Sequence, residues 1–205
     1  MTDTAEYKRW EERYAGSDYL FGTTPNEFLA ACRDLLPRTG RALAVADGEG
    51  RNGVWLAEQG LSVLSIDFSP TAQEKARALA KARGVDVEFQ RADVHAWPYP
   101  EAAFDLVVEI FTQFSTPAER SAKWAGVRRA LKSGGLLILQ GYTPRQLRHG
   151  TGGPKQVEHL YTRAMIEQAF GDWQVIKLVE EEREMSEGAA HSGLSAVIGL
   201  VARKP

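Results

Sequence analysis

The stretch Ala42-Leu43-Ala44-Val45-Ala46-Asp47-Gly48-Glu49-Gly50-Arg51-Asn52-Gly53, with Leu61-Ser62-Val63-Leu64-Ser65-Ile66-Asp67 behind it, decides the fold. Ala42–Ala46 is a short apolar run of the kind a buried strand shows. A glycine-rich turn follows, then a helix through Glu58, then a second strand over Leu61–Ile66 that ends at Asp67. Gly48, Gly50 and Gly53 fit the spacing G-x-G-x-x-G, and Asp67 stands about 20 residues beyond Gly48, the separation expected of a ribose-binding acid. Glycine at these places removes Cβ atoms where a ligand approaches the backbone and admits unusual φ. A carboxylate at the end of the second strand accepts hydrogen bonds from two ribose hydroxyls. A tight structural turn is the plainer reading of such a loop, and the strand, loop, helix, strand, acid context weighs against it.

Downstream, the same alternation continues. Ser69-Pro70 caps a helix carrying Ala72, Ala76, Leu79 and Ala80 on one face, and Gly84 stops it. Val85–Gln90 and Phe104–Ile110 are further strands, and Thr116-Pro117-Ala118-Glu119 is a capping box before the apolar positions Trp124, Val127 and Leu131. Ser133-Gly134-Gly135 turns into a fifth strand, Leu136–Gln140. Strands alternating with helices give a mostly parallel sheet covered on both faces, with ligands at the carboxyl ends of the strands. A helix over Arg163–Phe170 follows, and then two strands, Trp173–Glu181 and Leu194–Ala202, with no helix between them, which makes them antiparallel. Upstream, residues 4–15 form an aromatic-rich helix with Tyr7, Trp10 and Tyr14. Thr24-Pro25-Asn26-Glu27 has the form of a capping box with Pro25 first in the helix, and Phe28, Cys32 and Leu36 share one face behind it.

The 205 residues fit one ordinary domain with a sizeable core. We expect residues 1–205 to be a single domain: a helical cap over 1–40, a core over 41–205, and a loop over 142–161 that serves as a lid. A net charge of −2 gives no electrostatic footprint for nucleic acid. The single cysteine, Cys32, excludes an internal disulfide framework and a four-cysteine zinc site, and reads as core. No apolar run is long enough to span a bilayer, and the opening Met1-Thr2-Asp3-Thr4-Ala5-Glu6 lacks the pattern of a signal peptide. The expectation is a cytoplasmic protein, monomer or homodimer, that handles a small molecule without a nucleic-acid or membrane partner.

Two cofactor classes use this glycine loop and acid: a nicotinamide dinucleotide, whose pyrophosphate sits at the helix N-terminus, and S-adenosylmethionine, which has no phosphate. Asp93 in Arg91-Ala92-Asp93-Val94, the closing hairpin, and the shortness of the chain favour the second. Asp93 on its own also fits a turn acid. At these residues the chain resembles the class I S-adenosylmethionine-dependent methyltransferases, over nearly its whole length. The resemblance rests on Gly48-Glu49-Gly50-Arg51-Asn52, Ser65–Pro70, Arg91–Val94, Phe104–Val108 and Leu131–Leu136. Trp10-Glu11-Glu12-Arg13-Tyr14 through Asn26 is similar to the small bacterial branch near the tellurite-resistance methyltransferases. The resemblance implies a Rossmann-like, doubly wound sheet of seven strands with an antiparallel last strand. It implies that Gly48 and Gly50 line the methionine end of the cofactor, that Asp67 binds ribose and that Asp93 binds adenine. Asp47, Asn52, Phe68, Val94 and Glu109 complete the expected cofactor site. Two departures stand out: Ala44 replaces an acid and Ala46 a glycine of the family loop.

Methyl transfer needs alignment of the acceptor and little solvent, and no metal. The acceptor side is expected from Tyr14, Tyr19 and Phe21, from Phe111 and Phe114 after the fourth strand, and from Tyr142 and Arg145 after the fifth. The candidates for catalysis are Glu109, Gln113, His149, His159 and Tyr161, with His191 a further possible base. Histidines in such positions are more often surface or capping residues. Two alternatives remain open: an NAD(P)-dependent oxidoreductase, which requires a helix joining the last two strands, and a non-catalytic adenosyl-binding regulator.

Overall fold

The computed structural model describes residues 4–205; Met1, Thr2 and Asp3 of the opening segment lie outside the described residues. Helix α1 (Ala5–Tyr14) and the single turn α2 (Glu27–Ala30) precede the sheet. Then come β1 (Arg41–Val45), α3 (Arg51–Glu58), β2 (Ser62–Asp67), α4 (Pro70–Arg83), β3 (Glu88–Arg91) and β4 (Phe104–Ile110). The chain continues through α5 (Pro117–Ala130), β5 (Leu131–Tyr142), α6 (Arg163–Phe170), β6 (Gln174–Ser186) and β7 (Ser192–Arg203).

The seven strands lie in the order β3-β2-β1-β4-β5-β7-β6. The first five are parallel, and β7 runs antiparallel to both β5 and β6. Alternate strand residues face opposite sides. Leu43, Val45, Leu137 and Leu139 pack with Trp124 and Val127 of α5 and Phe170 of α6. Ala42, Leu106, Val108 and Ile138 pack with Phe28 and Leu29 of α2 and Leu56 of α3 on the other face. Because β1 pairs with β2 on one side and β4 on the other, the connections leaving their carboxyl ends diverge, and a crevice opens between them.

The caps at Ser69 and Thr116 form as read, the latter with both hydrogen bonds of a capping box, and Gly84 closes α4 at φ +68°. The cap of α2 differs from the expectation: Asn26, not Thr24, accepts from the Leu29 amide. Asn26 is held there by a buried network. Its amide donates to Asn52 Oδ1 and its side chain to Gln140 Oε1 and Glu187. Glu187 in turn pairs with Arg51 at 2.6 Å. Tertiary contacts from three distant segments thus override the local signal. Strands β6 and β7 run past their expected ends and meet in a tight hairpin through residues 187–191, with no helix between them. That removes the topological requirement of the oxidoreductase reading.

Candidate active site

The turn after β1 is built on left-handed backbone. Gly48 and Gly50 have φ of +57° and +83°, and Ala46 has +48°. Ala46 therefore keeps the conformation for which a glycine is suited, at the roughly 1 kcal/mol that a Cβ costs there. A Cβ on Gly50 would lie 2.6 Å from that of Ala76, so this glycine lets α3 close on α4. A Cβ on Gly48 would lie 2.8 Å from the Tyr14 hydroxyl, so α1 rests directly on the loop.

Two carboxylates flank this turn and do different work. Asp47 accepts from the Gly53 amide at 3.1 Å and the Ser65 hydroxyl at 3.0 Å, tying the first turn of α3 to β2. Asp67 accepts from the Gly48 amide through Oδ2 and from the Ser69 amide through Oδ1, each at 2.8 Å. Each Asp67 oxygen keeps a lone pair for a ligand. Burial raises both acids above the ordinary carboxylate range, Asp47 to about 7 and Asp67 to about 6. An acid raised on folding favours the folded state below its unfolded value and loses that contribution as pH rises through the folded value. The ligand-free protein is therefore expected to be more stable near pH 5 than near pH 8, Asp47 contributing up to about 3 kcal/mol of that difference. Urea titrations at the two pH values check this, and Asp47→Asn should shrink the difference.

Three cavities run in series along the carboxyl ends of the strands. A slot of about 320 Å³ beside β3 is walled by Phe68, Ala92, Val94 and Phe114, with Asp93 and His95 at its edge. A neck of about 70 Å³ follows, lined by Gly48, Asn52 and Asp67 under Trp10 and Tyr14. Beyond it lies a chamber of about 260 Å³ roofed by residues 152–156. Ala46, Phe68 and Phe114 line both slot and neck; Trp10, Phe21, Phe111 and His191 line both neck and chamber. Phe111 holds φ +54°, a genuine outlier for an aromatic residue. Its ring lies 4.6 Å from that of Tyr142 and 4.5 Å from that of His191.

The expected cofactor residues Gly48, Asn52, Asp67, Phe68, Asp93 and Val94 all reach the slot or the neck. Asp93 also serves its turn, accepting from the His95 amide at 3.0 Å. Gly50 lies behind the loop. Asp47 borders the neck with its carboxylate committed inward. Glu109 belongs to neither role. It is fully buried and paired at 2.8 Å with the equally buried Lys123, and it accepts from Thr112, Trp124 and the Tyr161 hydroxyl. Tyr161 is thereby also withdrawn from the cleft. Alternation along β4 sends residue 109 to the α5 face, which the spacing alone did not reveal.

Gln113 borders the chamber, but its amide group is spent bridging the backbone. It donates to the Tyr142 and His159 carbonyls and accepts from the Tyr142 amide. His149 lies beside Glu182 of β6, Arg145 pairs with Glu180 and Glu182, and Tyr19 donates to the Lys75 carbonyl of α4. None of these three borders the three cavities, nor does the His159 ring. Of the candidate histidines, His191 reaches the cleft. Burial, then the Arg51 and Arg13 guanidiniums, pushes it down to about 3, so it is uncharged at neutral pH and a poor proton store. Arg9, Trp10 and Arg13 were not anticipated as lining residues; their spacing of three and four along α1 was the available signal. The glycines at 152 and 153 let the roof pack tightly, since a Cβ on Gly153 would lie 2.8 Å from the Tyr142 ring. Among the described residues no group of three His, Cys, Asp or Glu could hold a metal ion.

The fold is shared with known proteins. Residues 42–135 match the family described as Methyltransferase domain. The chain has the Rossmann-like fold of the class I methyltransferases. The fold extends over nearly the whole chain in TehB from Haemophilus influenzae, which has a TM-score of 0.70 at 14% identity and covers 98% of this chain and 66% of that one. A Methanosarcina mazei protein described as a SAM-dependent methyltransferase gives 0.69 at 21% identity, over 85% of this chain and 96% of its own. In sequence, the demethylmenaquinone methyltransferase of Thermus thermophilus is 36% identical over 106 residues, which are 51% of this chain and 48% of that protein. The chain spans about half the length of the curated methyltransferases it matches.

Proposed function

We propose that this protein transfers a methyl group from S-adenosylmethionine to a small-molecule acceptor by in-line displacement. The carrying observation is the series of slot, neck and chamber, with Asp67 in the middle and the chamber at the far end. The residues present fit the cofactor the methyltransferase domain implies. The slot offers apolar walls for a purine and the Asp93 carboxylate for its amino group. Asp67 has lone pairs for ribose hydroxyls, and Gly48 carries no side chain where the chain of the ligand would pass.

When bound, the cofactor supplies a methyl carbon on a sulfonium: the acceptor's lone pair bonds to it, the carbon–sulfur pair stays on sulfur, and any acceptor proton goes to water. The protein's own contribution is alignment and exclusion of solvent. Trp10, Tyr14 and Phe21 cover the neck, and the strained Phe111 and His191 border both neck and chamber, with Tyr142 beside them in the chamber wall. His191, uncharged, aligns the acceptor by hydrogen bonding instead of storing a proton. In this reading 1–40 is the cap, 142–161 the roof of a single domain, and the enzyme is a cytoplasmic monomer or homodimer. No described helix is long and apolar enough to cross a membrane.

Calorimetry with S-adenosylhomocysteine tests the proposal: binding is expected, and no heat at millimolar ligand would sink it. One observation favours a second reading, an adenosyl-binding regulator. Ala44 is buried within β1 and Asp47 is turned inward, so the acid missing from the family loop is not replaced there. That reading predicts cofactor binding with no turnover on any acceptor.

A further inference from the structure

The chamber is chemically lopsided. Arg9, Arg13 and Lys155 border it, and no acidic residue does. Arg9 is paired with Glu6 at 2.6 Å, and Lys155 is exposed on the roof. Arg13 is different. Although solvent-exposed as a residue, it has its guanidinium carbon 4.5 Å from the Trp10 ring and 5.8 Å from the Phe21 ring, and no carboxylate pairs with it among the described residues. A guanidinium held against aromatic faces with its donors unspent matches a carboxylate.

A second, independent feature lies in the same chamber. The Tyr142 hydroxyl and His191 Nδ1 are buried atoms with no hydrogen-bond partner. Native proteins rarely leave such atoms unpaired, and a ligand is one way to pair them. Their rings are 5.7 Å apart, and both border the chamber. Between these polar atoms and Arg13 the walls are aromatic: Trp10, Phe21, Phe111 and Phe114.

We propose that the acceptor is a small aromatic carboxylate. Its ring lies among Trp10, Phe21 and Phe111, its carboxylate meets Arg13, and the polar group that receives the methyl meets Tyr142 and His191 where the chamber joins the neck. This rests on the methyl-transfer reading and narrows it: neutral quinones, amines and polymers are not what this chamber is shaped and charged for.

The test uses 4-hydroxybenzoate and its isosteric amide, 4-hydroxybenzamide, titrated into the full chain saturated with S-adenosylhomocysteine. The carboxylate is expected to bind at least about tenfold more tightly than the amide, the worth of one charge-assisted hydrogen bond. Arg13→Gln should erase the preference while S-adenosylhomocysteine affinity stays within threefold of wild type. Tyr142→Phe, which keeps the ring, should weaken the carboxylate severalfold with no effect on the cofactor. Equal binding of the two probes, or no binding of either at millimolar concentration, overturns the proposal. So does a loss of S-adenosylhomocysteine binding in Arg13→Gln, since Arg13 would then belong to the cofactor. Failure of S-adenosylhomocysteine to bind the wild type instead overturns the methyl-transfer reading itself, and this proposal with it.

Discussion

Lys123→Met is expected to destabilise the protein by about 3–5 kcal/mol, the range for breaking a buried ion pair from one side. Neither partner of the Lys123–Glu109 pair is exposed to solvent. Burial alone would push the Glu109 carboxyl up; Lys123, with the hydrogen bonds from Thr112 and Trp124, more than reverses this, and Glu109 lies below its ordinary value. Lys123 also donates to the Thr112 hydroxyl at 2.7 Å and the Thr112 carbonyl at 3.0 Å, fixing the chain just after β4. With the ammonium gone, the carboxylate must either stay charged in an apolar layer or take up a proton. Glu109 Oε2 already lacks a hydrogen-bond partner, so little else is there to compensate. The double change Glu109→Gln with Lys123→Met should recover part of the loss, because no lone charge remains. Urea denaturation of wild type, single and double variants measures both effects. A single variant within 1 kcal/mol of wild type would show the pair to be energetically idle.

Asp67→Asn is expected to weaken S-adenosylhomocysteine binding about 10- to 100-fold, the equivalent of about 1.5–3 kcal/mol for a lost charge-assisted hydrogen bond. Asparagine is preferable to alanine here. Alanine would leave both the Gly48 and Ser69 amides without an acceptor, whereas asparagine keeps an oxygen for one of them and turns its NH2 toward the other, so circular dichroism of the variant is recorded beside the titration to separate loss of fold from loss of binding. Because burial raises Asp67 to about 6, the wild-type affinity should also fall as pH drops through that value, when the carboxylate takes up its proton. The variant should lack that step. Calorimetry across pH 5 to 8 reads both, and unchanged affinity in the variant would reject the ribose assignment.

The fold was legible because its signals are local. The run Ala42–Ala46, the turn glycines and the caps at Ser69 and Thr116 each answer to the physics of a few neighbouring residues, and they recur in the structure with small shifts at the ends. The places of Asp67 and Asp93 beside the neck and the slot were legible for the same reason, since both stand where strands end. The surroundings of the proposed acceptor side were not. Which way Glu109 faces depends on where α5 packs, and Asn26 caps α2 in place of Thr24 because Glu187 and Gln140, far along the chain, hold it there. His191 could be named as a candidate, but its burial among Phe21, Phe111 and Tyr142 is a product of the β6–β7 turn folding back over the cleft.

That turn has a consequence for synthesis on the ribosome. Strand β7 is the last to emerge, yet it lies inside the sheet, between β5 and β6. Until it appears, β6 has no neighbour to join, and the Glu187 clamp on Asn26 and Arg51 has no hairpin to hold it in place. The nascent chain can assemble its five parallel strands early and still have an open, unroofed cleft. Ligand binding should therefore arise late and in one step, with the arrival of a single strand.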